Sequence, residues 1–269
     1  MKPTTAVDPQ TLRNFGSIAD DNEILRVLVG SGVHGIAIEG TDDRDEMGVF
    51  IEPPEHVLGV GYPMNTLTHR TQPEGHRSGP GDLDLVRYSL RHYARLLVKG
   101  NPNVLLPLFA PQDAVLISSD AGDSLRKARH IFLSQRAVRQ TLGYMNAQIE
   151  RMVDKRKLPN RPELIERYGY DVKYASHAVR LAIQGYELAL SGVLILPMRD
   201  HFRELVLAVK TGQYSQDQVV EMVEEYGRKI GDLLRSGRCQ LPSEPDYEAM
   251  NAFLIRAHES YWGMKGYRP

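Results

Sequence analysis

Up to about residue 115, apolar positions come in short runs cut by glycine, proline and aspartate. Ile24-Leu25-Arg26-Val27-Leu28-Val29 ends at Gly30-Ser31-Gly32, Met47-Gly48-Val49-Phe50-Ile51 ends at Pro53-Pro54, and Asp82-Leu83-Asp84-Leu85-Val86 follows a loop-like stretch from Gln72 to Gly81. Short β-branched runs bounded by turn residues predict strands. The first helix after them is expected near Tyr88, broken by Gly100-Asn101-Pro102. From Ser119 onward the texture is helical. Ser134 to Lys157 has no proline, and Asp171 to Leu190 carries apolar residues at Val172, Ala175, Val179, Ile183, Tyr186 and Leu190, a spacing of three to four that predicts one buried face. Ser215 to Leu234 and Asp246 to Trp262 read the same way, with Ser215 as N-cap and Gln218 at the capping-box position. The pattern predicts an α/β or α+β fold: a sheet-bearing part over residues 1–115 and a helical region over 116–269.

Composition narrows the class. The chain has 269 residues, 42% apolar and 25% charged, with 33 Lys+Arg against 34 Asp+Glu for a net charge of −1. These values exclude intrinsic disorder, a collagen-like fibre and a basic histone-like binder. The single cysteine, Cys239, predicts no disulfide partner within the chain and no cysteine-based zinc site. Neither a secretory signal at Met1 to Thr5 nor an apolar run of membrane-spanning length is visible, so a cytoplasmic, membrane-free location is expected.

Candidate chemistry is concentrated between residues 29 and 51. Gly30, Gly32 and Gly35 surround Ser31 and His34, a turn whose backbone amides can approach an anion and whose Ser31 hydroxyl adds a donor. His34 is placed either to touch a phosphate or to satisfy a loop carbonyl. Asp43 and Asp45 flank Arg44 at the start of the next apolar run, while Asp42 reads as a turn cap. In an extended chain, positions i and i+2 point to one side, so the two carboxylates converge, and a divalent cation relieves their repulsion. Asp84, preferred over Asp82, offers a third carboxylate from a later strand. Three such acids suit two Mg²⁺ ions ~3.5–4 Å apart, an arrangement for in-line phosphoryl displacement.

Gly30-Ser31, Asp43-Arg44-Asp45 and Asp84 resemble the pattern of the DNA polymerase β-like nucleotidyltransferase superfamily. The blocks Leu96-Leu97-Val98-Lys99-Gly100-Asn101-Pro102-Asn103 and Gly169-Tyr170-Asp171-Val172-Lys173-Tyr174 to Leu181 are similar to its RlaP/YcgL-type predicted nucleotidyltransferases. Leu106 stands where that group usually places an acid. The resemblance implies a mixed-sheet nucleotidyltransferase core with a helical C-terminal region. It also implies transfer of a nucleoside monophosphate from an NTP, with release of pyrophosphate, using Mg²⁺ (two ions, with Mn²⁺ as alternative). Gly30 and Ser31 would hold the triphosphate; Asp43, Asp45 and Asp84 would be metal ligands, Asp84 nearest the acceptor hydroxyl. An RNA end such as tRNA is the first acceptor, resting on the family's association with RNA repair; a small molecule, a protein side chain or a non-catalytic nucleotide sensor are the alternatives.

Helical spacing adds a cationic stripe. Lys173, His177 and Arg180 fall at i, i+4 and i+7, opposite the apolar face, and are expected to meet phosphates. Arg87, Arg91 and Arg95 with His92 and Lys99, and the group Arg151, Asp154 to Lys157 and Arg161, read either as RNA-facing patches or as ordinary solvated faces.

Overall fold

The computed structural model describes residues 9–267 except 39, 41–42, 74, 77 and 154–160. Asp42 and the basic group at 154–157 therefore lie outside the described residues. Five strands, β1 (Glu23–Leu28), β2 (Arg44–Phe50), β3 (Thr66–Arg70), β4 (Leu83–Ser89) and β5 (Val115–Ser118), form one sheet in the order β3-β4-β2-β1-β5. β2 and β4 run parallel and every other neighbouring pair is antiparallel. The helices of the sheet half are α1 (Pro9–Asp21), α2 (Gly30–His34), α3 (Pro54–Val57), α4 (Leu90–Val98) and α5 (Leu106–Phe109). The rest of the chain supplies α6 (Asp120–Lys127), α7 (Gln135–Val153), α8 (Pro162–Tyr168), α9 (Val172–Ser191), α10 (Asp200–Lys210), α11 (Gln216–Arg235) and α12 (Tyr247–Met264).

The strand runs, the helix after Tyr88 and the helical second half stand as the hydrophobic pattern predicts. Ser215 caps α11 in a complete capping box with Gln218, and Asp246 caps α12. The stretch after β1 departs from the expected open turn: Gly30 to His34 close into one helical turn, capped by Gly35.

Alternation decides which sheet face meets the helices. Leu25 and Val27 of β1 pair with Val49 and Met47 of β2, and their shared face packs on Leu90, Tyr93 and Leu97 of α4. That core also takes Val138, Leu188, Ile230 and Tyr261 from the second half, so apolar burial is continuous across positions 115 and 116. The opposite face carries Arg26, Glu46 and Arg87 in ion pairs. Helix α9 corrects the one-sided expectation: α7, α10 and α11 surround it, nearly every residue from Ala175 to Ala189 is buried or half-buried, and Leu190 is exposed. Packing on three sides leaves Lys173 exposed at the start of the helix but His177 and Arg180 half-buried, which changes where Arg180 can point.

The two longest family-like blocks build junctions. Gly100 has φ +75°, and a Cβ there would lie 2.6 Å from the Ala137 backbone nitrogen, so only glycine lets the chain press against α7. Asn101 accepts from the Asn103 amide at 3.0 Å. Asp171 accepts from the amides of Lys173 (3.0 Å) and Tyr174 (3.2 Å) as N-cap of α9 while pairing with Arg161. Leu106 is buried in the core, so the position at which the resemblance leads to the expectation of an acid serves apolar burial.

Candidate metal centre

Parallel pairing of β2 and β4 sets the site. Asp45 and Asp84 are direct register partners, so their side chains leave the same face of adjacent strands, which run ~4.8 Å apart. Asp43 lies two residues before Asp45, on the same side. Ligand oxygens of Asp43, Asp45 and Asp84 all lie within 4.8 Å of one another, and all three residues are half-buried. Oxygens around one Mg²⁺ stand about 3–4 Å apart, given bonds of about 2.1 Å, so side-chain rotation alone closes the set on an ion. Among the described residues this is one carboxylate cluster, not two.

The surroundings fit a hard cation. Gly30 has φ +69°, and a Cβ there would fall 2.2 Å from Asp45 Oδ2. The Asp45 carboxylate therefore occupies the space that a side chain at position 30 would fill. Val29 N–H donates to the Asp45 carbonyl at 2.9 Å, tying the start of α2 to β2. Asp84 accepts from Gln72 Nε2 (2.9 Å) and Ser78 Oγ (2.8 Å) and pairs with Arg70 at 3.2 Å. Partial burial by itself would raise the Asp84 pKa, but those two hydrogen bonds and the Arg70 charge outweigh it and hold the carboxyl below its ordinary value. Asp82 is elsewhere: it accepts from Thr71 Oγ1 and the Gly79 amide and pins the loop before β4.

The other end of α2 meets the helical half. Arg180 Nη1 lies 3.0 Å from His34 Nε2 and donates to Gln184 Oε1 at 3.0 Å, while the Gln184 amide lies 3.0 Å from His34 Nδ1. Burial first, then the charges of Arg180 and His177, push the His34 pKa well below its ordinary value. His34 is thus neutral. Arginine can only donate, so Nε2 is the acceptor in the Arg180 contact. Arg180 is lowered to about 10 by burial. His177 is lowered to about 3, by burial and then by Arg180, Lys173, Arg161 and Lys210. Those four cations surround His177 beside the C-terminal end of α2, where Lys210 Nζ also donates to the Ile36 carbonyl. Lys173 is exposed, whereas Arg180 and His177 are not on an open surface.

The candidate metal ligands and the cationic cluster therefore flank one short helix, whose axis spans only ~6 Å at 1.5 Å per residue. Gly30 and Ser31 lie at the carboxylate end and His34 at the cationic end. The sequence reading did not single out Arg70, Gln72, Ser78 or Lys210. The first three lie in the edge strand and the loop after it, and only the register of β3 on β4 reveals their proximity to Asp84.

A model of the family described as "RlaP: RNA repair pathway DNA polymerase beta family" matches residues 8–230. No curated protein matches. A crystal structure described as a nucleotidyltransferase-like protein from Exiguobacterium sibiricum 255-15 is similar over 93% of this chain and 78% of its own, at 10% identity and a TM-score of 0.30.

Proposed function

Because the chain belongs to the RNA repair pathway DNA polymerase beta family, we propose that it transfers a nucleoside monophosphate from an NTP to an acceptor hydroxyl, the acceptor being an RNA end such as that of tRNA. The observation that carries this reading is the α2 arrangement: three convergent carboxylates at one end and a cationic cluster, half-buried apart from exposed Lys173, at the other. A triphosphate has that polarity of need, with reacting oxygens that require divalent cations and a tail that requires fixed positive charge. The metal, Mg²⁺ or Mn²⁺, supplies positive charge at the α-phosphoryl oxygens when bound, and where two ions bind, substrate phosphates and water complete the shells that three carboxylates leave open.

Asp43 and Asp45 hold the ligand positions beside the Gly30–Ser31 turn, whose amides and hydroxyl take the triphosphate. Arg180 and Lys173 neutralise its tail, with neutral His34 and the Gln184 amide oxygen fixing the guanidinium. Asp84 stands nearest the acceptor. Its lowered pKa makes it a ligand and orienting acceptor rather than a strong base. In the transfer the acceptor oxygen forms a bond to the α-phosphorus, the bond to the bridging oxygen breaks, and pyrophosphate leaves with that electron pair. The hydroxyl proton passes to solvent. Residues 1–115 act as the catalytic core and 116–269 complete the nucleotide and acceptor sites.

The test is an incubation of α-phosphate-labelled NTPs with tRNA, total protein and a metabolite extract in parallel. Label in tRNA, abolished by Asp43→Asn and by Asp84→Asn in folded variants, supports the reading. Label in protein or metabolite moves the acceptor to those classes, and normal NTP binding without any label indicates a nucleotide sensor.

A further inference from the structure

The sheet face that carries Asp84 is not fully covered. On β4, Asp84, Val86 and Tyr88 leave that face and are half-buried, and their register partners on the edge strand β3 are Arg70, Thr68 and Thr66, all exposed. This strip of hydroxyls, one guanidinium and one aromatic ring runs from the metal ligands to Tyr88, about 13 Å at ~3.3 Å per residue. It continues onto α4: the Tyr88 and His92 rings are 6.2 Å apart, and Arg95 and Lys99 follow at helical spacing. Their charges, after burial, lower the His92 pKa. Both side chains are exposed and form no ion pair among the described residues. Beyond them Lys99, Arg136, Arg139 and Tyr144 line a groove of about 460 Å³ between α4 and α7.

Like charges at i and i+4 repel, and the half-buried Tyr88 and His92 rings beside the exposed edge strand offer a stacking edge. A single nucleic-acid strand answers both: phosphates neutralise the cations, and any base can stack on an aromatic ring. We infer that the β3–β4 face is the acceptor shelf, holding a single-stranded RNA end with a base on Tyr88 and His92, its phosphates on Arg95 and Lys99, and its terminal hydroxyl at Asp84. The shelf length equals the rise of about four stacked nucleotides at 3.4 Å each. This inference rests on the transferase reading and adds the surface that reading lacks.

The experiment is fluorescence anisotropy of a labelled single-stranded oligoribonucleotide with the full chain, across a salt series and without NTP. The expected result is salt-sensitive binding of the single strand in preference to a duplex. In Arg95→Gln/Lys99→Gln the slope of log K against log salt falls by about 1.4, at ~0.7 per phosphate contact. Tyr88→Ala weakens binding roughly tenfold and Tyr88→Phe keeps it, since stacking needs only the ring. His92→Ala repeats the ring test should Tyr88→Ala fail to fold. Unchanged affinity and slope in the double variant and in His92→Ala would overturn the shelf, as would capture of acidic peptide in place of RNA. Nucleotide affinity of the unsubstituted protein, measured alongside, tests the transferase reading separately.

Discussion

Gly30→Ala isolates the geometry on which the metal centre depends. The substituted residue would keep φ near +69°, a left-handed conformation that costs a side-chain-bearing residue about 1–2 kcal/mol. Its Cβ would also sit 2.2 Å from Asp45 Oδ2, well inside contact. The overlapped atom is the end of a short side chain, so the carboxylate turns away while the strand stays in place. The fold then loses about 1–2 kcal/mol, a fall in Tm of very roughly 2–8 °C for a chain of this size, but the centre loses one of its three carboxylates. Disturbing what orients a ligand typically costs 10–100-fold in metal affinity, and removing a ligand should cost at least that. Titration with Mn²⁺, following the free ion by electron paramagnetic resonance, reads the affinity, and thermal denaturation reads the fold. Gly32→Ala is the control: nothing lies within 4 Å of its Cβ position and its φ is not positive, so it should leave affinity intact and stability within about 1 kcal/mol. Wild-type Mn²⁺ affinity in folded Gly30→Ala, or equal loss in both variants, would refute the geometry.

Three further outcomes follow from packing and charge. His177 is held at about 3 from an ordinary 6.5, so the unfolded chain takes up a proton near pH 6.5 that the folded chain refuses until near 3. Its stabilising effect is complete above pH 6.5 and declines as pH falls toward 3, by up to about 1.4 kcal/mol per pH unit. Urea midpoints measured down this range should fall less steeply in His177→Gln, and an identical slope would contradict the burial. Arg180→Gln should raise the KM for nucleotide by tenfold or more with a smaller change in kcat, the size of a lost charge-assisted phosphate contact of ~1.5–3 kcal/mol; unchanged KM in steady-state kinetics would remove Arg180 from the tail site. Ser215→Ala breaks the capping box of α11 and should cost about 1 kcal/mol in chemical denaturation while leaving Mn²⁺ affinity untouched.

How much was legible in the chain follows from which interactions are local. Strands β1, β2 and β4 and the long helices carry their periodicity in their own residues, and the Asp43/Asp45 pair shares a side by the two-residue repeat of extended chain. Edge strand β3 does not: Thr66 to Arg70 is exposed at four of five positions, so no apolar alternation marks it, and it is a strand because β4 offers it a ladder. The four-residue β5 gains its definition the same way, against β1. The helical turn at Gly30 to His34 was hidden because three glycines in seven residues suggest an open loop, whereas the ties to Asp45 and to Arg180 favour a closed turn.

Hydrophobic period, glycine placement and the spacing of acids determine by themselves the sheet-then-helix order and the three candidate carboxylates, while the motif blocks carry the family resemblance. Tertiary structure decided the rest, because each remaining feature joins residues far apart in the chain. Register between β2 and β4 puts Asp84 beside Asp45 rather than one residue out of phase, which would turn it to the opposite face. Enclosure of α9 by three helices turns Arg180 from a surface cation into a half-buried one against His34, 146 residues away in sequence. A one-dimensional pattern records which face a residue takes within its own element. Which neighbour that face meets is set by chain closure and by competition for burial across the whole molecule.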